Sequence, residues 1–212
     1  MRILQVCAEI FPLLKTGGLA DVAGALPQAL QALGAETRVL LPGFAPILAG
    51  LDAPRELARL HPPGAMAQAS VRLLHGRLTA VGVDAYVIDA PGYYHRDGGP
   101  YADAAQQPYA DNHLRFALLG WTGAALARGM DPAWRPERLH VHDWHAALAP
   151  AYLRAAAEAG ENALPGCVYT VHNLAYQGLF DASRFAELGL PAHFFSMHGL
   201  EFHGHVSFMK AG

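Results

Sequence analysis

The chain has 212 residues, of which 15 are Lys or Arg and 18 are Asp or Glu, so its formal net charge is −3. This balance gives no electrostatic argument for a nucleic acid or an anionic membrane as partner. With 52% hydrophobic and 16% charged residues, the composition favours a well-buried α/β core over disorder.

The first 42 residues predict a strand, a helix and a second strand. The apolar run Ile3–Ala8 predicts a buried strand over Arg2–Ala8, and apolar residues at spacings of three and four predict a helix over Leu19–Leu33. Gly34 is well placed to end that helix in a left-handed conformation. The second strand is predicted over Thr37–Leu41, before Pro42.

Residues 44–70 are rich in Ala, Pro and Gly and have weak periodicity, which indicates an insertion. We expect one short helix in it, at Pro54–Leu60. Val71–Leu74 and Leu78–Val83 resemble a hairpin that turns around His75-Gly76, and Ala85–Ile88 is predicted as a further short strand.

The remaining chain alternates helices and strands after a long loop, Asp89–Gln107, of the kind that is often functional. The predicted elements are, in order, a helix over Leu114–Arg128, a strand over Leu139–His142, a helix over Trp144–Ala159 with Asp143 as its N-cap, a strand over Cys167–Val171, and then short helical pieces. This alternation predicts a doubly wound parallel sheet of the α/β, Rossmann-like class.

Lys15, Gly17 and Gly18 lie between the first strand and the first helix. In an open parallel sheet, the crevice beyond the carboxyl ends of the strands is where ligands bind. Glycine allows close backbone approach, a helix N-terminus attracts anions, and lysine suits phosphate. The spacing matches neither G-x-G-x-x-G nor the P-loop, which disfavours a nicotinamide dehydrogenase. The alternative is a loop that needs glycine for its turn, beside an ordinary surface lysine.

The stretch from His140 to His145 admits several interpretations. His140 and His142 point the same way on a strand and, with Asp143, have the side chains of a metal site, but no further ligand has a defined spacing, so we expect no metal. Asp143 is equally suited to cap a helix, and Trp144 to pack in the core.

Polar side chains also follow the last strand and occur near the first helix. His172 and Asn173 offer donors and an acceptor that suit sugar hydroxyls, although a tight turn is an alternative for Asn173. Asp21 lies in the first turn of the first helix, where it either stabilises the helix dipole or accepts hydrogen bonds from ligand hydroxyls.

Cellular location is indicated by the thiols and by the N-terminus. Cys7 and Cys167 fall in predicted buried strands and suit reduced thiols in the cytosol. The apolar stretch before Glu9 is shorter than that of a signal peptide, and no apolar run approaches the roughly 20 residues that span a bilayer. The expected location is cytoplasmic.

Several long segments, in order, resemble bacterial glycogen synthases and plant starch synthases. They are the start of the chain through Val22, with Lys-Thr-Gly-Gly-Leu-Ala-Asp, and the segments Phe116–Trp121, His140–His145, Tyr169–Gly178 and His198–Phe202. The resemblance runs over essentially all of the chain. It implies the N-terminal, acceptor-side domain of a two-domain GT-B glycosyltransferase over residues 1–212, with the C-terminal nucleotide-binding domain not included.

The family resemblance also implies an activity: transfer of glucose from ADP-glucose to the non-reducing end of glycogen or another α-1,4-glucan, with retention and without a cofactor. It implies His172 as the catalytic residue near the transferred glucose. It implies contacts to donor or acceptor from Lys15, Gly17, Gly18, Asp21, Tyr94, Asp143, Trp144, His145, Asn173 and Gln177.

Some alternatives stay open at the level of the sequence. Tyr93 competes with Tyr94, since Pro91–Arg96 departs from the commoner family pattern. A GT-B transferase that uses UDP-glucose is one alternative function, and a non-catalytic glucan-binding module is another. Without its second domain, the fragment is expected to be inactive or nearly so.

Overall fold

A computed structural model describes residues 1–212. Its strands are β1 (Arg2–Val6), β2 (Glu36–Pro42), β3 (Leu51–Leu60), β4 (Val71–Leu78), β5 (Val83–Asp89), β6 (Arg138–His142), β7 (Gly166–Thr170), β8 (Leu179–Asp181), β9 (Glu201–Phe202) and β10 (His205–Ser207). Its helices are α1 (Gly18–Ala32), α2 (Ala45–Ala49), α3 (Pro91–Tyr94), α4 (Asn112–Ala127), α5 (Asp143–Ala146), α6 (Leu148–Glu158) and α7 (Phe208–Ala211). No helix combines the length and the apolar character that crossing a membrane requires.

Seven strands form one sheet in the order β3-β4-β5-β2-β1-β6-β7. The five strands from β5 to β7 in that order pair in parallel, whereas β3 and β4 are antiparallel additions at one edge. The chain first builds outward from β1 through β2 and later returns to place β6 on the other side of β1. The strand order therefore reverses between β1 and β6, which confirms the doubly wound α/β fold. In open α/β sheets, ligands generally bind in the crevice at such a reversal.

The core is closed by helices that approach one another and the sheet closely. In α4, a Cβ at Gly120 would lie 2.9 Å from the backbone nitrogen of Ala149 in α6, and one at Gly123 would lie 3.1 Å from Val6 in β1. These glycines let α4 pass tightly between β1 and α6. As expected, α1 ends at a left-handed Gly34, with φ of 85°, and the N–H of Ala35 donates to the carbonyl of Leu30.

The insertion after β2 differs from its prediction. Pro54–Leu60 is part of the edge strand β3, whose residues between the buried ends Leu51 and Leu60 are exposed or half-buried. Proline is tolerated there because an edge strand leaves some N–H groups unpaired. The hairpin turns after Leu78, and His75-Gly76 lies inside the continuous strand β4. A Cβ at Gly76 would lie 2.6 Å from the Asp52 carbonyl, so this glycine permits close strand approach.

Four further predictions in the C-terminal half were wrong. The expected single helix over Trp144–Ala159 is two helices, α5 and α6, and Asp143 is the first residue of α5 and not its N-cap. Cys167 is exposed because β7 is the far edge of the sheet, while Cys7 is buried as expected. The last segment contains a small three-stranded sheet, β8-β10-β9, in addition to short helical pieces.

Replacing Gly24 of α1 with alanine is expected to lower the free energy of unfolding by about 1–3 kcal/mol, measured by urea denaturation. The added Cβ would lie 2.5 Å from the carbonyl oxygen of Phe11, which is backbone that α1 already holds through a bond from the Phe11 N–H to Ala20. The matched control is Gly18→Ala at the start of the same helix, where nothing lies within 4 Å of the added atom. Equal stability of the two variants would contradict the packing argument.

Candidate functional site at the carboxyl ends of the central strands

Three segments meet where the central parallel strands end. They follow β1, β6 and β7, which are neighbours in the sheet. The loop after β1 carries Lys15, the first residue of α5 after β6 is Asp143, and the loop after β7 carries His172. The fold therefore brings most of the residues expected to bind ligand to the edge where an open α/β sheet binds its ligands.

Lys15 is paired with Asp21. Its Nζ atom lies 2.8 Å from Oδ1 and 2.7 Å from Oδ2 of that carboxylate, and the two side chains are 46% and 51% exposed. An exposed ion pair contributes about 0–1 kcal/mol. An incoming phosphate can therefore replace Asp21 as the partner of Lys15 at little cost.

Gly17 and Gly18 are not required by the local backbone. Gly17 is extended, with φ of −156°, and neither residue has a positive φ. A Cβ at either position would meet nothing within 4 Å. The alternative that this loop needs glycine to turn is therefore unsupported, and open space adjoins the N-terminus of α1.

The buried carboxylate of Glu9, which was not among the residues predicted from the sequence, holds this loop in place. Glu9 accepts hydrogen bonds from the backbone N–H of Thr16, from its hydroxyl at 2.6 Å, and from the Tyr101 hydroxyl. Burial, with Glu9 alongside, raises the pKa of Tyr101. The Tyr101 ring stacks on His145 at 4.6 Å. The position of Glu9 just after a buried strand is the signal that could have identified it.

Asp143 fastens the loop after β7 to the start of α5. Its Oδ1 accepts from the backbone N–H of His172 at 2.7 Å and of Asn173 at 3.4 Å. Asp143 is buried and has a φ of 54°, a conformation that costs of order 1–3 kcal/mol in a residue other than glycine. Such strain is typical of functional sites, and here the two backbone bonds maintain it.

A row of histidines leads to His172. The rings of His140 and His142 lie on the same face of β6, with centroids 4.2 Å apart. His140 Nε2 lies 2.8 Å from the hydroxyl of Thr170, and His142 Nδ1 lies 3.0 Å from Nε2 of His172. The carboxylate of Asp143 binds the loop amides and does not join these rings in a cluster of metal-ligand type.

Trp144 and His145 are packed in an aromatic cluster. Trp144 contacts Phe116 edge-on at a centroid distance of 4.9 Å and lies near Phe180. On one side it is covered by Gly178, where a Cβ would lie 2.5 Å from the indole. This geometry favours the packing alternative over a free stacking face. His145 is also buried, and burial lowers its pKa to about 3.

Tyr94 is directed into the core and away from the crevice. It is 2% exposed, and its hydroxyl donates to the carbonyl of Arg115 at 2.6 Å, while Arg115 Nε donates to the carbonyl of Tyr93. Neither tyrosine is well exposed. In this conformation a contact between Tyr94 and a ligand has no support, and the residue acts as packing under the long loop.

Asn173 and Gln177 belong to the loop after β7. The Oδ1 atom of Asn173 accepts a hydrogen bond from the N–H of Ala175 at 2.9 Å, which forms the tight turn considered as the alternative. The side-chain nitrogen, Nδ2, of Asn173 has no partner in the chain. Gln177 donates to the carbonyl of Leu174 over a long 3.4 Å. Turn formation and ligand binding are therefore compatible at Asn173.

Comparison with known proteins identifies related sequences along the whole chain. The profile of the starch synthase catalytic domain family matches residues 2–212. The chain is 68% identical to a glycogen synthase of Leptothrix cholodnii and 60% identical to one of Variovorax paradoxus, in both cases over 100% of this chain and over 44% and 43% of the relative. The chain therefore spans less than half the length of these relatives.

Among solved structures, the fold is similar to that of the catalytic domain of starch synthase IV from Arabidopsis thaliana, a structure bound to ADP and acarbose. The TM-score is 0.79 at 22% identity, over 99% of this chain and 42% of the other. At this identity the likeness supports the fold.

The stability of the chain is expected to fall as the pH is lowered from about 6.5 towards 5. His142 and His145 have pKa values lowered to about 3 from the ordinary 6.5, with burial as the leading cause. The unfolded chain therefore binds more protons between these values, and each histidine contributes up to about 1.4 kcal/mol per pH unit. Urea denaturation from pH 5 to 7.5 measures the slope.

The histidines can be separated with single variants. His145→Phe keeps an aromatic ring against Tyr101 and is expected to give a shallower slope, whereas His198→Phe, at an exposed position, is expected to leave the slope unchanged. A slope in His145→Phe as steep as in the unaltered chain would show that this histidine is not held neutral.

Proposed function

The chain belongs to the starch synthase catalytic domain family, and we propose that it is the N-terminal, acceptor-side domain of a GT-B enzyme that transfers glucose from ADP-glucose to an α-1,4-glucan. Glucose is added at the non-reducing end with retention of configuration. The observation that carries the proposal is the loop after β1, which offers a displaceable lysine, two glycines with open space and a helix N-terminus at the switch point of the sheet.

The donor diphosphate is proposed to bind at this loop. The first amides of α1 have no partner within the helix, so they can donate to an anion. The positive end of the helix dipole also favours an anion at this position. Lys15 exchanges Asp21 for the diphosphate. As the bond from the sugar to the diphosphate breaks, negative charge develops on the leaving ADP, and fixed positive charge there lowers the barrier.

The transferred glucose is proposed to lie beside the loop after β7. The unpartnered side-chain nitrogen of Asn173 can donate to a sugar hydroxyl. The partly exposed His172 is held in a defined position, at its backbone by Asp143 and at its ring by His142. His172 acts near the anomeric carbon, where positive charge develops in the transition state. Preorganised dipoles contribute most when they need no rearrangement during the reaction.

A second, nucleotide-binding domain is part of the proposal, since the relatives are more than twice as long as this chain. That domain would complete the donor site and, by closing, exclude water that would otherwise hydrolyse the donor. A cytoplasmic location is also proposed, and the two free thiols of Cys7 and Cys167 support it because reduced cysteines are typical of that compartment.

Lys15→Ala in the full-length protein is expected to lower kcat/KM for ADP-glucose by roughly 10²-fold, because the ammonium group faces charge that grows on the leaving group. The assay follows transfer of labelled glucose to a maltooligosaccharide, with UDP-glucose as the competing donor. Arg59→Ala on the edge strand β3, a 75% exposed cation, is the control and should leave the rate unchanged.

Other results of that assay would overturn the proposal. Undiminished transfer by Lys15→Ala, preference for UDP-glucose, or glucan binding without transfer would each contradict it. The 212-residue chain alone is expected to transfer little or no glucose, and efficient transfer by it would contradict the two-domain arrangement.

Gly17→Ala is expected to weaken donor binding without changing stability. The methyl group meets no protein atom within 4 Å in the free chain but would occupy space proposed for the diphosphate, so we expect the KM for ADP-glucose to rise about tenfold, equivalent to about 1.4 kcal/mol. Urea denaturation of the same variant serves as the control. An unchanged KM would show that Gly17 does not adjoin the donor and belongs to an ordinary loop.

A further inference from the structure

His142 is enclosed between two other histidines at the end of β6. Its side chain is fully buried, and its ring lies 4.2 Å from that of His140. The ring of His142 is also stacked on that of His172, with the centroids 5.3 Å apart. Its Nδ1 atom lies 3.0 Å from Nε2 of His172. Its other nitrogen, Nε2, is buried and has no hydrogen-bond partner.

This unequal environment discriminates between the two possible directions of the bond. If His172 donated from Nε2, neutral His142 would carry its proton on Nε2, as a buried N–H without an acceptor. If His142 donates from Nδ1, the unpartnered Nε2 is a bare acceptor. Among backbone groups, orphaned buried N–H donors are rarer than under-satisfied carbonyl acceptors, and we apply the same preference to the ring nitrogens of His142. Each tautomer is set by the bond that the other nitrogen makes.

We propose that His142 is a positioning residue: its Nδ1–H donates to Nε2 of His172 and thereby holds His172 as the Nδ1–H tautomer. The bond itself is independent of any reaction, and its catalytic meaning rests on the function proposed above. With Nε2 occupied as an acceptor, Nδ1–H is the only donor that the His172 ring can offer, in this tautomer, to an oxygen of the substrate.

The surroundings keep His142 able to play this part. Burial, followed by the neighbouring His140 and His172, lowers the pKa of His142 to about 3, so the ring is neutral and donates from one nitrogen only. The nearest carboxylate in sequence, Asp143, is engaged by the backbone N–H groups of His172 and Asn173. His172 is thus held twice, at its backbone by Asp143 and at its ring by His142.

The tautomer is read directly by long-range 1H–15N correlation spectra of the histidine rings in the 212-residue chain at pH 7.5. The expected result is the Nδ1–H pattern for His172, although the Nε2–H form predominates in an unconstrained histidine. His142→Phe removes the donor at similar volume and should return His172 to a mixture rich in Nε2–H. His142→Asn places an amide donor near the former Nδ1 and should retain the Nδ1–H pattern.

The matched control is His140→Phe, which changes the neighbouring ring of the same row but not the bond to His172, and it should leave the His172 pattern unchanged. An Nε2–H pattern for His172 in the unaltered chain would overturn the proposal, and that result does not depend on the folding of any variant. The same pattern in His142→Phe as in the unaltered chain would also overturn it.

Activity of the full-length protein separates this inference from the proposed function. His142→Phe is expected to lower kcat for glucose transfer by at least about tenfold, because a catalytic imidazole in the wrong tautomer is a poor catalyst, with little change in KM, and His142→Asn should restore much of the loss. If the full-length protein transfers glucose but the tautomer of His172 does not depend on His142, the inference alone would be overturned. Absence of transfer, with the expected tautomer, would overturn the function and leave the bond supported.

Discussion

A carboxylate that leaves water must be given hydrogen-bond donors, and the buried Glu9 receives them from segments far apart in the chain. Thr16 donates from the loop after β1, and Tyr101 donates from the long loop before α4. Tyr101 in turn stacks on His145, after β6. One buried carboxylate thereby joins two loops and, through Tyr101, helix α5, and the geometry of the lysine-glycine loop depends on it.

Asp143 repeats this arrangement one strand further along the sheet. Its carboxylate is satisfied by the backbone of the loop after β7, and its own backbone has a positive φ to reach it. Both carboxylates act on loop backbone, so they order the crevice without occupying it. The groups that remain able to bind a ligand are the side-chain nitrogen of Asn173, which has no partner, and Lys15, whose exposed ion pair with Asp21 can be exchanged.

Predictions from local pattern succeeded where burial is regular. The parallel strands and the helices α1 and α4 were found within one or two residues because their apolar periodicity directly reflects packing on one core. The edge strand β3 was taken for a helix since exposed residues on both of its faces leave no periodic signal. The glycine in β4 was taken for a turn, because its purpose is close approach to a strand that the local pattern did not reveal.

The sequence by itself determined the family, the doubly wound sheet and the loop that carries Lys15, Gly17 and Gly18, since these depend on local composition and on the order of segments. The tertiary structure decided which side chains face the crevice. The family resemblance implied ligand contacts for Tyr94 and Trp144, yet the first bonds to Arg115 in the core and the second packs against Phe116. Glu9 and His142 gain their roles only through partners distant in sequence, because hydrogen bonds between strand ends depend on which strands become neighbours.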